Sequence, residues 1–159
     1  MLNTLVLSVI LGIVLIGTLY PIVAQAMGEQ LSVGPPFFNK AAGPIALALV
    51  AAMMVGPLLR WRRDEANAVL TKLTAPIAVS VLGMAAVFVM APDTGWMEIV
   101  GLGLAAGLAV ASFAPLWKRN LIRTPMFTWG MVIAHFGVAV SLTGMAADSA
   151  FTSERLVAA

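Results

Sequence analysis

The chain has 159 residues, 61% hydrophobic and only 10% charged, with a mean hydropathy of +1.00; this excludes an ordinary water-soluble domain and makes lipid the main solvent. The absence of cysteine excludes disulfides, thiolate metal sites and thioether chemistry by the chain itself. A formal charge of +2 does not point to nucleic acid, because the positions of the basic residues are accounted for by membrane orientation.

The nine basic and seven acidic residues cluster, leaving uncharged runs at 1–28, 41–59, 73–92, 99–117 and 124–147. Each run is about long enough to cross ~30 Å of hydrocarbon at ~1.5 Å per residue. The expected fold is all-α, a polytopic transmembrane bundle occupying residues 1–159, with about five spans near 3–27, 41–59, 73–91, 98–117 and 126–147. Little chain remains for an extramembrane domain, so chemistry must occur inside the bundle, at its rim or with partners.

In the first segment the apolar run Val6 to Leu19 leads to Pro21 and then to Ala24-Gln25-Ala26, which resembles the small-x-small cleavage site of a secretory signal. No Lys or Arg precedes Lys40, so the basic start of such a signal is missing and a retained span is the expectation. The stretch Leu31-Ser32-Val33-Gly34-Pro35-Pro36-Phe37-Phe38-Asn39 pairs prolines with phenylalanines. It suits either a stiff cover over a site on the outer surface or an interfacial connector.

Arg60, Arg62, Arg63, Lys72, Lys118, Arg119 and Arg123 place seven of the nine basic residues in two connections on one side. By the positive-inside rule that side is cytoplasmic, which puts the N-terminus in the cytoplasm and the C-terminus outside. Five of the seven acids, Glu29, Asp93, Glu98, Asp148 and Glu154, then fall on the outer side. Trp61 and Trp117 at the inner rim and Trp96 at the outer one fit interfacial anchoring. Pro21, Pro57, Pro76 and Pro115 are expected to kink helices or to mark their ends.

Lipid gives no hydrophobic drive between helices, so small residues and interhelical hydrogen bonds must hold the bundle together. The fourth segment repeats Gly103, Gly107 and Ala111 every four residues. In the fifth, Gly130, Ala134, Gly137, Ser141 and Gly144 alternate spacings of four and three, which predicts one small face against a close neighbour.

The sole histidine, His135, lies mid-span in that fifth segment, with no acidic or basic residue beside it. At about 100° per residue it shares a face with Met131, Val138 and Leu142, roughly 140° from the centre of the small stripe. A polar ring at this depth should face the bundle interior, so the helix is expected to be buried on two sides. The residues alone leave three roles open: a neutral imidazole hydrogen-bonded to another helix, a ligand of haem iron, or a proton-relay or quinone contact. With no second histidine, a six-coordinate haem would need Met or a second polypeptide for its other ligand.

Four blocks carry a family resemblance: Gly17-Thr18-Leu19-Tyr20-Pro21, Ser32-Val33-Gly34-Pro35-Pro36-Phe37-Phe38-Asn39, Gly56-Pro57-Leu58-Leu59-Arg60-Trp61-Arg62, and Gly130-Met131-Val132-Ile133-Ala134-His135-Phe136-Gly137-Val138-Ala139. In this order they resemble CcmF, the haem lyase subunit of bacterial system I cytochrome c maturation, and the tail Ala150-Phe151-Thr152-Ser153-Glu154-Arg155 resembles the stretch after the last block. The resemblance implies that His135 is one of two transmembrane axial ligands of a b-type haem, with Met131, Val138 and Leu142 as apolar wall. It further implies electron transfer from quinol, a multi-pass place in the bacterial inner membrane, and partners that present haem on its chaperone and deliver apocytochrome c.

Full-length relatives also carry a tryptophan-rich WWD segment, flanking histidines and the other transmembrane ligand, none of which occurs in this chain. The chain therefore looks like one piece of the lyase, expected to work only with the remaining CcmF segments and not to attach haem alone. A non-enzymatic scaffold and a small quinone-linked redox or transporter subunit are the alternatives.

Overall fold

The computed structural model describes residues 2–30, 33–58, 66–117 and 119–151. Every regular element among them is helical: α1 (Leu2–Ala26), α2 (Pro35–Ala41), α3 (Gly43–Val55), α4 (Ala66–Met90), α5 (Trp96–Phe113) and α6 (Met126–Phe151), with short 3-10 turns at Gly56–Leu58, Ala114–Leu116 and Leu121–Arg123. The helices α1, α4, α5 and α6 are long and apolar enough to cross a membrane, and Gly43–Leu58 is a shorter apolar helix. The chain divides into two compact parts, residues 1–49 and 50–159.

In the first part α1 keeps nearly all of its apolar surface exposed, from Leu5 to Val23, as suits a helix solvated by lipid. It ends in a Schellman cap. Gly28 takes the left-handed conformation at φ 88°, while the Glu29 N–H bonds the Ala24 carbonyl at 2.9 Å and the Gly28 N–H bonds that of Gln25 at 3.1 Å. The expected proline-phenylalanine connector is itself helical in α2, where proline at the first positions costs no hydrogen bond. Phe37 and Phe38 meet edge to face with centroids 5.4 Å apart. Both rings fill the notch at Gly17, where a Cβ would lie 2.7 Å from Phe38 and 2.8 Å from Phe37. Leu31 and Ser32 of that stretch lie outside the described residues.

The second expected span, read as 41–59, is the shorter apolar helix Gly43–Leu58. Pro44 lacks an N–H and its ring crowds the carbonyl four residues back, which favours a break just before this span. The chain breaks between α2 and α3, bridged by hydrogen bonds from the Ala42 N–H to Phe38 and from the Ala46 N–H to Ala42, both 2.8 Å. Pro57 and Pro115 fall in the 3-10 turns that close α3 and α5, whereas Pro21 and Pro76 lie inside helices.

In the second part α4, α5 and α6 pack side by side, with α5 in the middle. Gly103 and Gly107 are where α4 comes close: Cβ atoms on them would lie 2.7 Å from the Ser80 and Pro76 carbonyl oxygens respectively. Across the same contact a Cβ on Gly83 would lie 3.4 Å from the Gly103 Cα. The small residues of α5 thus act as the sequence suggests, replacing side-chain volume with backbone contact. Ser80 is buried and its hydroxyl faces the Met54 sulfur at 4.0 Å. A small core of Val50, Met54, Leu108, Ala111 and Ala139 joins the end of α3 to α5 and α6.

The 3-10 turns Gly56–Leu58 and Ala114–Leu116 are neighbours, so both basic connections leave from one end of this part. There α4 begins earlier than the sequence reading, because the single charge of Lys72 does not stop a helix; its ammonium reaches back to the Leu58 carbonyl at 3.4 Å. Trp117 is exposed beside this end and Trp96 is exposed at the other. Residues Arg60, Trp61, Arg62, Arg63, Lys118 and the tail from Thr152 lie outside the described residues.

Candidate functional site around His135

The antiparallel pair of α5 and α6 sets the position of His135. At one end the Ser149 hydroxyl donates to the Glu98 carboxylate at 3.0 Å. Toward the other, Phe113 and Phe136 meet with centroids 5.3 Å apart and planes at 61°. This register brings His135 level with Ser112 and Phe113, within the apolar length of both helices. Ser112 is fully buried, and its hydroxyl is taken up by the Leu108 carbonyl at 2.6 Å.

The α6 side chains buried against this pair are Thr128, Val132, Ala139 and Ala146. With half-buried His135 and Leu142 between them, they form a seam spaced alternately by four and three residues. Sequence reasoning missed this seam, although the 3.5-residue period was there to find in the small or apolar side chains of Val132, Ala139, Leu142 and Ala146. His135 is thus turned toward the bundle, with Met131 and Leu142 also half-buried and Val138 37% exposed.

The small face does not meet α5. Gly130, Ala134, Gly137, Ser141 and Gly144 are all exposed, and Cβ atoms on the three glycines would meet nothing within 4 Å. Among the described residues of the second part, the helix is buried on the side of the seam. The physical reason is that the close approach of the bundle is spent on Gly103 and Gly107 against α4, while α5 meets α6 through the opposite face of α6.

Nδ1 of His135 lies 2.9 Å from the backbone carbonyl oxygen of Met131. A carbonyl only accepts, so this contact is a hydrogen bond when Nδ1 carries the proton. The lone pair then resides on Nε2, the nitrogen directed away from the backbone, which can accept a proton or bind a metal. Anchoring of one ring nitrogen by a carbonyl is the usual support for an imidazole ligand. An imidazole so held could serve as one protein ligand of a haem iron; there is no second histidine, and among the described residues no three His, Cys, Asp or Glu side chains converge. A cavity of about 310 Å³ lies elsewhere, lined by residues of α3, α4 and α5 including Met54, Ile77, Ser80 and Met84. It offers no ionisable ligand.

These features define a multi-pass α-helical membrane protein with a single mid-span imidazole. Comparison with known proteins gives the family. The chain is 35% identical to the cytochrome c-type biogenesis protein CcmF of Pseudomonas aeruginosa, over 98% of this chain and 25% of that protein. It is likewise 35% identical to CycK of Rhizobium meliloti over the same shares, and 32% identical to CcmF of Escherichia coli over 96% of this chain and 24% of that protein. Over nearly all of its own length the chain is a CcmF-like sequence, and it spans about a quarter of the length of the curated relatives it matches. No family model and no solved structure matches it.

Proposed function

We infer that the chain is a segment of a cytochrome c haem lyase of the bacterial inner membrane, in which His135 supplies one axial ligand of a transmembrane b-type haem. The names of its relatives support the process, cytochrome c biogenesis. The observation that carries the ligand role is the Nδ1 contact to the Met131 carbonyl, which leaves Nε2 on a half-buried, apolar face of α6. When bound, the haem would supply one-electron transfer toward the haem being attached to apocytochrome c.

The chain's own contribution is to hold the imidazole in one tautomer, keep water from it with Met131 and Leu142, and brace α6 against α5. The second axial ligand and the bond-forming site come from the remaining CcmF polypeptide, with quinol, the haem chaperone and apocytochrome c delivery proteins as its further partners. The test is co-expression with that remaining polypeptide, followed by absorption spectroscopy of the purified complex. A b-type spectrum that His135→Ala abolishes is expected, and a spectrum unaltered by that change overturns the assignment.

A second reading, a non-enzymatic scaffold, is favoured by the same contact, because one hydrogen bond to Met131 already satisfies a neutral imidazole in part. It expects a colourless complex and normal cytochrome c yield in His135→Gln.

A further inference from the structure

His135 of α6 and Met53 of α3 stand on either side of one groove, and both belong to the second part of the chain, residues 50–159. On α6 the buried seam of Thr128, Val132, Ala139 and Ala146 marks the line that meets α5. At ~100° per residue, His135 lies about 35° to one side of that line, with Leu142, Met131 and Val138 further round, and Phe136 lies about 65° to the other side. Phe136 meets Phe113 of α5, whereas Leu142 packs against the core that contains Val50 and Met54 of α3. The imidazole is therefore on the flank of α6 that faces α3.

The faces of α5 and α3 give the same answer independently. Glu98, which holds Ser149, marks the side of α5 toward α6. Leu108 and Ala111, the core residues against Val50 and Met54, lie about 110° from it in one sense, and Phe113 lies about 60° from it in the other. On α3, Ala51 and Val55 turn toward α4, where they line the cavity with Ile77 and Ser80. Met53 lies about 80° from the Val50–Met54 line in the opposite sense, toward α6. The depths agree as well. Gly56–Leu58 neighbours Ala114–Leu116, and the terminal carbon of Met54 sits at the Gly107 notch. So α3 runs in the same direction as α5, and the Met53 backbone is level with Val110, within a helical turn of His135.

We propose that Met53 forms the α3 wall of the His135 site, touching the edge of the haem that Nε2 ligates. The role of Met53 rests on that of His135 as haem ligand, and it sets the side from which the macrocycle approaches: over the groove between α3 and α6, not over the Phe113 flank. A thioether suits this position, because sulfur makes favourable contacts at the edge of an aromatic system and the unbranched side chain adapts to its shape. Leu108 and Ser112, both wholly buried, form the floor of the groove, and the Ser112 hydroxyl is already taken by the Leu108 carbonyl at 2.6 Å. Met53 is a positioning residue, half-buried and free of charge, beside a ring that carries the ligating nitrogen.

The test uses the complex with the remaining CcmF polypeptide, loaded with haem, and reads its midpoint potential by optical redox titration. A charge beside a haem at membrane depth acts on the iron through little solvent. Met53→Glu is expected to shift the potential down by favouring the ferric form, Met53→Lys to shift it up, and Met53→Leu to leave it near that of the unsubstituted complex. The same charges at Val110, exposed on the side of α5 away from the groove, are expected to shift it much less. A merely structural role for Met53 would move the potential in one sense for both charges, or not at all, and either result overturns the proposal.

Charges at this depth can prevent assembly, and in that event cross-linking decides. The chain has no cysteine, so Met53→Cys combined with Val138→Cys is expected to be joined by a short bis-maleimide before haem loading, with loss of the product once haem is loaded. Ala51→Cys combined with Val138→Cys, with Ala51 on the α4 side of α3, is expected to give no product in either state. A product indifferent to haem, or none from the Met53 pair, overturns the proposal. A complex without b-type haem, or one whose haem survives His135→Ala, refutes the ligand reading and the wall with it. Haem lost in His135→Ala but unmoved by charge at Met53 refutes the wall alone.

Discussion

Nδ1 of His135 and the carbonyl oxygen of Met131, one helical turn apart, are 2.9 Å from each other. The pair joins a local fact about α6 to a chemical one, because the carbonyl can only accept and so selects the tautomer with its proton on Nδ1. Solid-state ¹⁵N spectroscopy of histidine-labelled chain in bilayers should therefore show the neutral imidazole in the tautomer that carries its proton on Nδ1. Equal populations of the two tautomers would remove the geometric support for an axial ligand.

Substituting glycine should have opposite consequences on the two helices that carry glycine stripes. In α5, Gly107→Ala places a methyl group 2.7 Å from the Pro76 carbonyl oxygen and 2.8 Å from the Met54 terminal carbon. A backbone oxygen cannot swing aside, so the expected cost is about 1–3 kcal/mol. In α6, Gly130→Ala meets open space and should be neutral or stabilising by up to ~1 kcal/mol, as backbone entropy in the unfolded chain is reduced. Thermal unfolding in mild detergent measures both. Equal effects of the two changes would refute the packing described for α4 and α5.

Much of this architecture was legible in the sequence because lipid imposes simple rules: uncharged runs of sufficient length mark helices, and a four-residue glycine spacing marks close approach. Gly103 and Gly107 were read correctly as a contact stripe for that reason. The break at Ala42 was not foreseen, since hydropathy continues through Gly43 and Pro44 while hydrogen bonding does not. That the Gly137 strip is not the face that meets α5 was also hidden. Spacing tells which residues share a face, but only tertiary contacts tell which face meets α5. His135 stood out by being alone, yet its anchoring to Met131 depends on a rotamer that composition does not encode.

The clustering of basic residues predicts which ends of the helices meet the cytoplasm, and a chain without cysteine allows a direct check. In intact cells Asp93→Cys, in the turn between α4 and α5, should react with a membrane-impermeant maleimide. Asn120→Cys, at the end that carries the basic connections, should react only after the membrane is opened. Both positions are exposed, so access to the reagent is governed by the bilayer and not by packing. The reverse pattern would invert the whole topology.

The Glu98 carboxylate joins two functions at the start of α5. One oxygen accepts the Ser149 hydroxyl at 3.0 Å, and the other folds over Gly95, leaving no space for a Cβ there. The residue also lies in the first turn of α5, where a negative charge faces the positive end of the helix dipole. Ser149→Ala removes one exposed hydrogen bond and should cost roughly 0.5 kcal/mol or less. Glu98→Ala removes that bond and the charge at the helix start, and should cost about 1 kcal/mol. The double variant should then cost no more than Glu98→Ala alone, because removing the acceptor already ends the interaction with Ser149. Strict additivity in a double-mutant cycle, read by thermal unfolding in detergent, would mean that the bond does not hold these ends of α5 and α6 together.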